Sequence, residues 1–197
     1  MLSNTCYPAY SMKWSDAKRE LQQMENREML LLLKQLFALS PANKTFFEAT
    51  LLPGNKVPLK HYKKEISSAV NPSTNSEIDL QRGRKAISEF KKAAPDDLIC
   101  RLDLMLFFVE EAASQTLKYG TINGRFYDSM CRMLDSIMEL ANQLHPVEYS
   151  EITDRLRKLD AATSGNIGWG VCDHISDTLA ELEGRYNDLD VSSDSAG

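Results

Sequence analysis

Between Gly165 and Leu179 the chain reads GNIGWGVCDHISDTL: three glycines around a tryptophan, then Cys172, Asp173 and His174 in consecutive positions. Glycines that bare backbone N–H groups ahead of a helix form phosphate cradles, and a histidine beside a carboxylate or a thiol moves protons or holds a metal. The order here is G-x-x-G-x-G, which matches neither the dinucleotide fingerprint nor the P-loop, and no predicted strand precedes it. Asp173 and Asp177 fall in the first turns of the helix that follows, where they complement its dipole and repel an anion. Cys172 and His174, two residues apart on a helix, point in different directions and do not make a nucleophile and its base. His61 and His145 are distant in sequence, and no H-E-x-x-H pair accompanies them, so neither a metal nor another cofactor is expected. The reading that asks least is structural: Gly165, Gly168, Trp169 and Gly170 form a tight turn between two helices, with Trp169 as its buried wedge.

A second cluster is basic. Residues 1–55 carry 6 basic and 5 acidic groups, residues 56–92 carry 9 and 4, and residues 93–197 carry 8 and 19, giving +1, +5 and −11. Arg82, Arg84, Lys85, Lys91 and Lys92 are the candidate interaction patch, for an acidic partner or for nucleic acid. Glu65, Glu77, Asp79 and Glu89 interrupt the segment, and a chain of net charge −5 repels phosphate over the rest of its surface, so nucleic acid is not the favoured partner.

The elements that must position these groups are helices. Prolines 41, 58, 95 and 146 each precede an amphipathic stretch, where a proline in the first turn loses no helical hydrogen bond. Phe126, Met130, Met133, Leu134, Ile137, Met138, Ala141 and Leu144 share one face at helical spacing, as do Ile152, Leu156 and Leu159. Glu151 with Arg155, and Asp154 with Lys158, stand four apart. No run alternates as a strand does. The spacing predicts helices near 14–25, 27–39, 41–51, 58–70, 79–93, 96–118, 123–144, 147–161 and 169–187. The sixth is apolar nearly all round from Leu98 to Val109, which marks it as the centre, and Gly120 closes it. Asp103 and Glu110 share a face of that helix, either as a solvated stripe or, if buried, with Arg84, Lys85 or Arg125 as partners.

The chain of 197 residues, 43% hydrophobic and 26% charged, has the composition of one ordinary globular domain. Met29–Leu39, MLLLLKQLFAL, is interrupted by Lys34 and Gln35 and falls short of a membrane span of about 20 residues. The N-terminus has no secretory pattern, and Cys6, Cys100, Cys131 and Cys172 show no close spacing, so a reducing, cytoplasmic setting is expected.

Four segments, LQRGRKAISEFKK (Leu80 to Lys92), DLMLFFVEEA (Asp103 to Ala112), KYGTINGRFYDSM (Lys118 to Met130) and SGNIGWGVCD (Ser164 to Asp173), resemble in that order the domain-of-unknown-function family 6155, a group of small helical proteins, mostly bacterial. The similarity spans about Lys13 to Leu182. It implies a helical fold and a bacterial cytoplasmic setting, and brings no activity, cofactor or partner. It also implies a start near Met12 rather than Met1.

The expectation is therefore an all-α, single domain of eight to nine helices packed as antiparallel hairpins in a solenoid-like array. Residues 1–12 form an N-terminal extension or mis-assigned start, 13–187 the helical domain, and 188–197 a disordered acidic tail. The function expected is that of a protein-interaction or scaffold module, acting on a protein partner or as a homo-oligomer, without membrane insertion. The alternatives are nucleic-acid binding through segment 56–92 and an enzyme with a site near Asp173 and His174.

Overall fold

The computed structural model describes residues 12–51, 59–72 and 76–194. The expected extension falls almost wholly outside the described residues, as do Lys56, Pro58 and the last three residues of the expected tail. The described residues hold nine α-helices: α1 Trp14–Gln23, α2 Asn26–Leu39, α3 Pro41–Leu51, α4 Leu59–Val70, α5 Leu80–Ala93, α6 Leu98–Tyr119, α7 Gly124–Ala141, α8 Ser150–Thr163 and α9 Val171–Asp194. A 3-10 turn over Pro146–Tyr149 leads into α8, and among the described residues no strand occurs. The fold is all-α.

The chain divides into two compact units, Met1–Glu48 and Ala49–Gly197. In the second unit α6 packs against α4, α5, α7 and α8. The main helix contacts in this unit join elements one or two apart in sequence, as stacked helical hairpins do, with α6 at their centre. The cause is visible in the sequence: Leu102, Leu106 and Val109 stand on one side of α6, Leu104 and Phe108 on the opposite side, and each is fully buried. A helix apolar all round needs neighbours on every side.

Side-chain caps fix where the central helices begin. Asp79 accepts the Arg82 N–H, Asp97 the Cys100 N–H and Asn123 the Phe126 N–H. Each satisfies a donor that the first turn leaves without an intrahelical partner. At the far end of α6, Gly120 has φ +84, a backbone setting open to glycine and costly for other residues. Gly83 serves closeness instead: a Cβ there would stand 2.8 Å from Val70 Cγ2 and 3.0 Å from Phe108 Cε2, so its absence lets α5 lie tight between α4 and α6. The last helix continues to Asp194, past position 188 where the acidic tail was expected to start. Once a helix is nucleated, each added residue gains a hydrogen bond, so polar residues extend it readily.

Candidate functional site

The glycine corner connects α8 to α9. Gly165 and Gly170 both have φ +71, whereas Gly168 lies outside the left-handed region and a Cβ on it would meet nothing within 4 Å. Trp169 departs from its expected role as a buried wedge: it is 65% exposed and itself has φ +62. Its indole stacks on the Tyr127 ring at 5.9 Å with 11° between planes, over the space that a side chain at Gly124 would enter. The left-handed backbone carries the indole onto the outer surface of α7 instead of into the core. A non-glycine residue in that region costs about 1–2 kcal/mol, so the corner holds a small strain.

Beyond the corner the three candidate chemical groups separate. Cys172 Sγ lies 2.9 Å from the Thr163 carbonyl oxygen and 2.7 Å from that of Ile167, and so closes the α8 to α9 turn. Asp173 is exposed, and His174 Nε2 meets Asp135 Oδ1 of α7 at 2.8 Å. Asp135, Glu139, Asp177 and Glu181 with His174 line an acidic cleft of about 520 Å³ between α7 and α9. Among the described residues no group of three or more His, Cys, Asp or Glu is placed to hold a metal ion.

Asp103 and Glu110 do lie on one face of α6, but their partners are not Arg84, Lys85 or Arg125. Arg155 of α8 reaches between them, with Nε donating to Glu110 Oε1 at 2.9 Å, Nη2 to Oε2 at 2.6 Å, and Nη1 to Asp103. Lys63 of α4 meets Asp103 from the other side at 2.8 Å, its ammonium 5.3 Å from the centre of the Phe107 ring. Next along α6, Glu111 accepts from Ser67 at 2.9 Å and from Asn71 at 3.0 Å. Burial opposes the charge on Arg155, yet the hydrogen bonds and attraction of Glu110 and Asp103 outweigh it and raise the guanidinium pKa. This network ties α4, α6 and α8 together. Neither expected pair on α8 forms: Arg155 turns inward away from Glu151, and Asp154 bonds to Arg157 instead of Lys158.

The five candidate basic residues leave α5 in three directions. Arg82 turns toward α4, bonding to Glu65 and Ser68, while Lys85 stands 3.8 Å from Glu89 and Lys92 is exposed on the outer side. Arg84 and Lys91 take the opposite flank, where they line a groove shared with α6 and α7. At 100° per residue, positions 84 and 91 nearly eclipse, whereas 82 lies about 160° from 84. The set is thus not one surface.

The sequence places α2 but does not reveal its exposed apolar face. Its Leu30, Leu31, Leu32, Leu33, Leu36, Phe37 and Leu39 are all exposed, from 38% at Leu33 and Phe37 to 77% at Leu39, and α1 and α2 bury no residue at all. The helix is well formed, with a capping box between Glu25 and Glu28. Phe37 makes an edge-on contact with Phe47 of α3 at 5.6 Å, and Asn43 donates to the Leu36 carbonyl at 2.6 Å. On a helical wheel Leu32, Leu36, Met29, Leu33, Phe37 and Leu30 cover an arc of about 160°. The signal lay in MLLLL: five successive large apolar residues occupy more of a helix than one buried face accommodates.

No family model matches the chain, and neither a curated protein nor a solved structure matches it.

Proposed function

We propose that the chain is a protein-interaction module that self-associates through α2. The observation that carries this reading is the exposed apolar arc of α2, since large contiguous apolar patches on a folded surface mark interaction sites. Two arguments favour a second copy as the occupant. An all-apolar stripe with Leu30, Leu33 and Phe37 at three- and four-residue steps is complementary to itself, as an isologous two-fold contact requires. The first 55 residues also net only +1, so little repulsion opposes bringing two copies of this segment together. With fourteen residues α2 is about 21 Å long, against a hydrocarbon core of about 30 Å, and no helix among the described residues is long and apolar enough to cross a membrane. The resemblance to family 6155 adds the expectation of a helical bundle to this reading and no activity.

Each half-exposed apolar side chain contributes on the order of 1 kcal/mol when covered, and association costs at least about 4 kcal/mol, which places the dissociation constant in the micromolar range. Sedimentation velocity over a concentration series tests it. The chain is expected to pass from monomer to dimer between about 1 and 100 µM, and Leu30→Glu with Leu33→Glu and Phe37→Glu is expected to hold it monomeric with an unchanged thermal midpoint for the bundle. A wild-type monomer throughout that range, or a triple variant that still dimerises, overturns the proposal.

A further inference from the structure

Four of the eight arginines in residues 49–197 pair with carboxylates: Arg82 with Glu65, Arg155 with Asp103 and Glu110, Arg157 with Asp154 and Glu183, Arg185 with Glu181. Arg101 is not among them. It is half-buried in the first turn of α6, where its charge opposes the helix dipole, and among the described residues no carboxylate lies within ion-pair distance of it. Arg101 lines a groove of about 360 Å³ between α5, α6 and α7 together with Arg84 and Lys91. Arg84 is held in place by donating to Ser129, which leaves its charge uncompensated, and among the described residues Lys91 has no ion pair. Glu139 is the one carboxylate among the lining residues, so the groove carries a net charge of +2 in a chain of net −5. Its floor is apolar, made by Ile87, Met105, Met133 and Leu140, each at most 8% exposed. Ser88, with an exposed hydroxyl, stands on the α5 flank between the two α5 cations.

Three cations that mutual repulsion disfavours, lining a groove with an apolar floor, are stabilised by a ligand with an anionic head and an apolar body. Guanidinium groups match phosphate and carboxylate oxygens in plane, and a methionine-lined floor adapts to a short hydrocarbon chain. We propose that this groove binds a small amphiphilic anion, an organic phosphate or carboxylate, with its head on Arg84, Lys91 and Arg101 and its chain on Met105, Met133 and Leu140. The site is independent of α2 and of self-association.

Calorimetric titration of the full chain with hexyl phosphate, hexanoate and inorganic phosphate tests the proposal and separates head from chain. Hexyl phosphate is expected to bind about tenfold or more tightly than inorganic phosphate, because two or more methylenes leave water. Hexanoate, with one charge in place of two, is expected to bind more weakly than hexyl phosphate. Arg101→Gln and Lys91→Gln, both on the groove wall and outside the core, are each expected to weaken hexyl phosphate about tenfold. Glu139→Gln is expected to tighten it, and Arg82→Gln, on the opposite flank of α5, to leave it unchanged. Amide shifts on titration should centre on Ser88, Arg101 and Met133. The proposal is overturned if none of the probes saturates below about 10 mM, if hexyl and inorganic phosphate bind equally, or if the Arg101→Gln, Lys91→Gln double variant binds as the parent does.

Discussion

Replacing Arg155 by methionine keeps the length and most of the volume of the side chain while deleting its charge, so the stability lost reports the α4, α6, α8 network. In the parent, Arg155 and Glu110 side chains are each 28% exposed and that of Asp103 is 16% exposed. Breaking a fully buried pair costs about 3–5 kcal/mol, because it strands a charge in a medium that solvates it poorly. Two features of this site lower that figure. Asp103 keeps Lys63 at 2.8 Å, and the stranded Glu110 retains over a quarter of its surface for water. A loss of about 2–3 kcal/mol follows, which for a chain of this size lowers Tm by roughly 4–10 °C. Urea denaturation followed by the helical circular dichroism signal measures it. Glu110→Gln, made in the parent and in the Arg155→Met background, completes a double-mutant cycle with an expected coupling of at least about 1 kcal/mol. A single-variant change below about 0.5 kcal/mol with no coupling, the behaviour of a surface ion pair, would refute the reasoning.

Three further outcomes are expected. Gly83→Ala should destabilise by about 1–2 kcal/mol, because the new methyl overlaps Val70 and Phe108 and this outweighs alanine's better helix propensity of about 1 kcal/mol; a raised melting temperature would show that α5 shifts freely. At the corner, Trp169→Gly should be close to neutral, since relief of the left-handed strain offsets a stack on Tyr127 of about 0.5–1.5 kcal/mol. Gly170→Ala should cost about 1 kcal/mol and Gly168→Ala almost nothing, and equal effects at the two glycines would contradict the φ assignment. Burial, with a further push from the Asp97 carboxylate, holds the Cys100 thiol up at about 12. Cys100 should therefore resist iodoacetamide at pH 8 in the folded protein and react on unfolding. The same shift lowers stability as pH climbs past the ordinary thiol range of about 8.5, because only the unfolded chain releases the proton there, and Cys100→Ala should flatten that slope.

Helix positions were legible because they rest on local signals. Apolar spacing, proline and the residues before each first turn set the bounds of α2, α3, α5 and α6 to within about two residues. The centrality of α6 was legible too, since a helix apolar on all sides has one place to go. The partner of Asp103 and Glu110 was not, because it depends on the rotation of α8 against α6, a tertiary quantity with no local trace. Arg155 looked like the partner of Glu151 until packing turned it inward. Trp169 misled for a related reason: whether an indole between glycines is buried or displayed is decided by one backbone φ. In Met29–Leu39 the helical spacing and the length against a membrane span are both legible, whereas the excess of Met29–Leu33 over one buried face is what sets α2 apart.

The central claim, that α2 is a docking helix covered by a second copy, is tested most directly by amide hydrogen exchange across residues 26–39 at two protein concentrations. Covered only in the dimer, these amides should exchange rapidly at about 1 µM and be protected at least about tenfold more at 100 µM, while those of α6 stay equally protected at both. Slow exchange in α2 at both concentrations would mean that its apolar arc packs within its own chain, and fast exchange at both that no second copy covers it; either result contradicts the account.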